Sequence, residues 1–68
     1  MALSARNHLK GEITDILLGT VTALITLKVG DNVVESVITK RSAEELKLKK
    51  GDSVIAVIKA TEVMIQKD

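Results

Sequence analysis

Residues 20–29 read TVTALITLKV, and they alternate in two registers. Val21, Ala23, Ile25, Leu27 and Val29 fall on one side. Thr20, Thr22, Thr26 and Lys28 fall on the other. A helix cannot present such a pattern as one apolar face, whereas a pleated strand does so automatically. The β-branched content agrees. Gly30-Asp31-Asn32 is turn chemistry. VVESVITK, residues 33–40, then resumes the extended pattern, so the two runs predict a β-hairpin.

The rest of the chain is read around that hairpin. Residues 9–18 alternate in part, with Leu9, Gly11, Ile13, Asp15 and Leu17 on one side before Gly19 interrupts. Ser42 with Glu45 three positions later matches a capping box, and residues 43–47, AEELK, favour helix. One or two helical turns are expected there, ended by Gly51. DSVIAVIKA, residues 52–60, predicts a strand that is apolar on both faces from Val54 to Ile58. Residues 61–67 alternate again, with Thr61, Val63 and Ile65 against Glu62, Met64 and Gln66, and predict a fifth strand. The expected fold is a small all-β, OB-like five-stranded barrel with one short helix between strands 3 and 4. It forms a single domain over residues 1–68, with no linker or repeat.

Size then limits the options. The chain has 68 residues. A domain of that length buries only about 60% of the surface its unfolded chain exposes. The chain has no cysteine and one histidine, so neither a disulfide nor a zinc site can compensate. Self-association is the remaining stabiliser. The two-faced strand at Val54–Ile58 points to a subunit interface, the alternative being a strand covered by its own helix. Phe, Trp and Tyr are absent, and the net charge is +1 with both signs interspersed. A nucleic-acid partner is therefore not expected, because single-strand binding uses aromatic stacking and a basic groove. No apolar run approaches the ~20 residues of a membrane helix, and residues 1–10 lack the apolar core of a signal peptide. No membrane contact is expected, and the expected location is cytoplasmic.

No nucleophile–base pair, P-loop or dinucleotide-binding glycine motif is present, so the chain does not read as an enzyme. Three polar clusters stand out instead: Ser4-Ala5-Arg6-Asn7-His8, Thr39-Lys40-Arg41-Ser42 and Lys59-Ala60-Thr61. Each lies at an element boundary, where backbone N–H groups are free, and each combines a cation with a hydroxyl. Such donors suit an oxyanion. Few acceptors accompany them, which favours a fully deprotonated dianion such as sulfate, molybdate or tungstate over hydrogen phosphate. Bland roles compete at each position. Ser42 serves equally well as an N-cap, Lys40, Arg41 and Lys59 as solvated charges, His8 as a surface or interface residue, and Ser4–His8 as a frayed terminus.

Taken together, SARNHLKGEI, VITKRSAEEL and VIAVIKATEVMI resemble the molbindin (Mop) family, whose members bind molybdate and tungstate with a single Mop or TOBE domain. The resemblance covers essentially the whole chain. It implies an OB-like barrel that dimerises by strand exchange and assembles as a trimer of dimers, a homohexamer. It also implies oxyanion sites between subunits. Ser4, Ala5 through its backbone, Arg6, Lys59 and Ala60 would come from one subunit, and Thr39 and Ser42 from a neighbour. Family members often carry serine where this chain has Ala60, which leaves only a backbone N–H there. The resemblance further implies a second class of site near the three-fold axis, for which Asn7, His8, Gly19, Thr20 and Thr22 are the candidates. No cofactor and no directly coordinated metal ion is implied, since molybdenum would be held as its oxyanion for storage, buffering or homeostasis. An OB-type nucleic-acid module, or a Mop-like structural or regulatory module without a competent anion site, are the competing functions.

Overall fold

The computed structural model describes residues 4–68. Four strands form one antiparallel sheet: β1 (Asn7–Leu18), β2 (Thr22–Val29), β3 (Asn32–Thr39) and β4 (Ser53–Ile58), in the order β3-β2-β1-β4. One short helix, α1 (Lys40–Glu45), joins β3 to β4. The predicted hairpin is β2–β3, closed by the two-residue loop Gly30-Asp31 between the paired residues Val29 and Asn32. Gly30 has a φ of 59°. Such tight loops need this left-handed conformation, and glycine adopts it freely.

β1 runs through the whole fold. Its first half pairs with β4, from Asn7 opposite Ile58 to Glu12 opposite Ser53. Its second half pairs with β2, ending at Leu18 opposite Ala23. Between Ile13 and Asp15 the register slips by one residue, leaving Thr14 as the extra residue of a β-bulge. The Thr14 hydroxyl donates to the Thr26 carbonyl at 3.4 Å. The bulge corrects the simple alternation expected for this strand. Ile13 is buried, but beyond the slip it is Ile16 that packs on the core, while Leu17 is exposed. Gly11 sits where β1 crosses closest to β2. A Cβ there would lie 2.8 Å from the Lys28 carbonyl oxygen and 2.9 Å from Val29 Cγ2.

The core is Ile13, Ala23, Ile25, Leu27 and Ala43, with Ile16, Val34, Ile38, Leu48, Val54 and Ala56 packed around it. The alternation read in residues 20–29 therefore places its apolar side inward from Ala23 onwards. Val21, ahead of the strand, is exposed.

The helix begins three residues earlier than the Ser42–Glu45 capping box implies. Its N-cap is Thr39, with extended dihedrals (φ −70°, ψ 148°), and the Thr39 hydroxyl accepts from the Ser42 N–H at 3.0 Å. β3 thus ends on a residue whose β-branched side chain suits the strand and whose hydroxyl caps the helix. Glu45 is free to accept from Arg41 Nε at 3.2 Å instead. The helix stops before Gly51, through a Schellman turn. The Leu48 N–H donates to the Ala43 carbonyl, and the Lys47 N–H to that of Glu44. Lys47 itself has a φ of 53°.

The expected fifth strand does not form within the chain. Residues 60–62 make a single 3₁₀ turn, and residues 63–68 pair with nothing among the described residues. A barrel strand needs a partner on each edge, and residues 63–68 are exposed and pair with neither free edge. The sheet is consequently open between β3 and β4. Helix coverage of β4 is also not realised: α1 packs on β2 and β3, and Ile55 and Val57 on the outer side of β4 remain exposed.

Candidate functional site

Pairing of β1 with β4 brings two of the three polar clusters together. Asn7 stands opposite Ile58 and its Nδ2 donates to the Ile58 carbonyl at 3.3 Å. Arg6 and Lys59 are the next residues outward along the two strands, so two cations flank one end of the sheet, with Ala5 and Ala60 a step further. His8 Nε2 donates to the Ala5 carbonyl at 3.0 Å, tying residues 5–8 into a closed turn. Asn7 and His8 thereby acquire definite work: they fasten the segment that carries Ser4, Ala5 and Arg6. The ion pairs among the described residues are Arg41–Glu45 and Lys50–Asp15. Neither draws on Arg6 or Lys59, which leaves both cations available to an anion.

The third cluster lies at the other end of β1. Thr39 pairs with Thr22, one residue before the Leu18–Ala23 pair that ends the β1–β2 ladder. The Lys40 N–H donates to the Val21 carbonyl, and the Gly19 N–H to that of Thr22, both at 2.8 Å. Gly19, Thr20 and Thr22 therefore join Thr39 and Ser42 rather than Asn7 and His8. The set assigned to a second site is split between the two ends of the sheet. In one chain, Thr39 and Ser42 do not reach Arg6 and Lys59.

The two ends differ in chemistry. One offers a guanidinium, an ammonium, the Ser4 hydroxyl and the amides of residues 5 and 60. The other offers hydroxyls and the start of a short helix. The Thr39 hydroxyl donates to Ser42 Oγ at 2.8 Å. Two hydroxyls bonded to each other have one proton left between them, so this pair gives a ligand one donor. Arg41 is highly exposed and paired with Glu45, consistent with a solvated corner. Among the described residues no group of three or more His, Cys, Asp or Glu side chains could hold a metal ion. What the arrangement can do chemically is donate hydrogen bonds and neutralise negative charge.

A small open β-barrel with donor clusters at both ends of its longest strand is the class that fold and site define. The chain belongs to the TOBE domain family, which its residues 3–65 match, and its likeness to the molbindins holds along its length. It is 46% identical to molybdenum-pterin-binding protein 1 of Clostridium pasteurianum over 66 residues, covering 96% of this chain and 97% of that one. Among solved structures it resembles a molybdate-binding protein from Sporomusa ovata, with a TM-score of 0.95 and 37% identity over 98% of this chain and 100% of the other. It also resembles ModG, a cytoplasmic molybdate-binding protein solved with molybdate bound. There the TM-score is 0.83 and the identity 44%, over 88% of this chain and 43% of that one. No helix among the described residues is long and apolar enough to cross a membrane.

Proposed function

We propose that this chain binds molybdate or tungstate intact, at sites shared between copies of itself, and that it stores or buffers the oxyanion in the cytoplasm without catalysis. The observation that carries the reading is the register pair Asn7–Ile58, which sets Arg6 and Lys59 side by side while Thr39 and Ser42 lie at the far end of β1. In the proposed site Ser4, the Ala5 backbone, Arg6, Lys59 and the Ala60 backbone come from one subunit. Thr39 and Ser42 come from its neighbour. The binding unit is one domain over residues 1–68, working as a strand-exchanged homohexamer. The names of its relatives, molybdenum-pterin-binding and molybdate-binding proteins, support this ligand class.

Isothermal titration of molybdate, with sulfate and phosphate as controls, tests it. Molybdate is expected to give saturable heat, and equal silence from all three anions would sink the reading. Arg6→Ala and Lys59→Ala should each weaken binding by roughly 1.5–3 kcal/mol through loss of a charge-assisted hydrogen bond. Unchanged affinity, with subunit number held constant, would mean that the anion is held elsewhere than at Arg6 and Lys59, whereas silence from every anion would point to a module of the same fold without a competent anion site.

A further inference from the structure

At the cationic end of the sheet, the backbone carbonyls next to Arg6 and Lys59 already hold donors. The Ala5 carbonyl shares a peptide unit with the Arg6 N–H, and it accepts from His8 Nε2 at 3.0 Å. The Ile58 carbonyl shares one with the Lys59 N–H, and it accepts from Asn7 Nδ2 at 3.3 Å. Two consecutive side chains of β1 therefore hold the two peptide planes that lead into the two cations. A carbonyl cannot donate, so the His8 ring carries a proton on Nε2. The 3₁₀ turn engages two carbonyls more. That of Lys59 accepts from the Glu62 N–H at 2.9 Å, and that of Ala60 from the Val63 N–H at 3.4 Å.

These bonds have two consequences. In a trans peptide the C=O and N–H point in opposite directions. A side chain that holds the carbonyl thus also fixes the direction of the N–H behind it, here the amides of Arg6 and Lys59. The second consequence concerns acceptors. A carbonyl turned to a donor of its own chain has less to offer a proton on a ligand. Hydrogen phosphate carries a P–OH proton that must find an acceptor, and a donor taken from water without one costs free energy. Molybdate, tungstate and sulfate carry no such proton.

Resting on the anion reading above, we propose that Asn7 and His8 determine which oxyanion the site accepts. By engaging the Ile58 and Ala5 carbonyls they withhold the acceptors that a protonated oxyanion would use, and the fully deprotonated dianion is taken in preference to hydrogen phosphate. Both are positioning residues. They act through the peptide units they hold, while Arg6, Lys59 and the Ser4 hydroxyl supply the donors.

Competition calorimetry on the full chain measures this directly. Sodium phosphate is titrated against sodium molybdate, and the ratio of the two affinities is read. Asn7→Leu and His8→Ala each release one carbonyl, and each should lower the molybdate-to-phosphate ratio roughly 2- to 10-fold, the factor expected for one hydrogen bond. His8→Gln, whose side-chain amide donates to the same carbonyl, should restore the ratio. A merely structural loss would weaken both anions alike and leave the ratio unmoved. The two variants act on different carbonyls, so either one serves if the other loses the sheet signal in far-ultraviolet circular dichroism. A wild-type ratio in the folded variants, or a lowered ratio that His8→Gln does not restore, would overturn the proposal and leave the anion reading standing. Wild-type protein that takes up no molybdate would instead refute the anion reading, and the specificity argument with it.

Discussion

Two residues carry opposite backbone lessons. Gly11 is required by space, because a methyl group there would sit 2.8 Å from the Lys28 carbonyl oxygen. That neighbour is backbone and cannot swing aside, so Gly11→Ala should cost on the order of 1–3 kcal/mol, read from chemical denaturation. Lys47 is the converse, a side chain on left-handed backbone with a φ of 53°. A Schellman turn prefers glycine at that position. Left-handed backbone costs an L-residue roughly 1–2 kcal/mol, more than the ~0.5–1 kcal/mol of added chain entropy glycine brings. Lys47→Gly should therefore stabilise the protein and raise its thermal midpoint by several degrees. Neither requirement is legible in the sequence. Gly11 reads as one more residue of an alternating run, and Lys47 as an ordinary helical lysine. Each requirement comes from backbone that lies elsewhere in the sequence or from a turn closed by neighbours.

Local chemistry explains the elements well, and their boundaries less well. The β2–β3 hairpin follows from period-2 alternation and Gly30-Asp31, both visible in the chain. The helix was visible too, but its start was displaced because Thr39 and Ser42 are both capping residues three positions apart. The strand end decides between them, since only Thr39 has extended dihedrals. Thr39→Ala should remove the bond to the Ser42 N–H, at 3.0 Å, and destabilise the fold by about 1 kcal/mol, while Thr39→Ser should retain most of it. Urea melts of the two variants separate these outcomes. The bulge at Thr14 could not be read from alternation. Ile16 and Leu17 are both apolar, and only the pairing with β2 selects which one faces inward.

At the scale of the whole molecule the balance of apolar surface is the dominant fact. Five hydrophobic side chains form the buried core, while twelve large ones are exposed among the described residues, including Leu17, Val37, Ile55, Val57, Met64 and Ile65. With so small a core, the proposed assembly ties stability to contacts between copies, and the thermal midpoint should rise with protein concentration. Differential scanning calorimetry over a wide concentration range would show it, and a midpoint independent of concentration would count against assembly as the stabiliser. Composition and periodicity are sufficient for the fold class, the hairpin and the donor-rich clusters, because each depends on residue type and short spacing. Which clusters meet was a different matter. Arg6 and Lys59 become neighbours only through the long-range pairing of β1 with β4, and Thr39 is held away from them by the length of β1. The alternation in residues 61–67 states that they suit a strand. Whether a strand forms depends on an edge to pair with, and in the folded chain residues 63–68 leave the free edges of β3 and β4 unpaired.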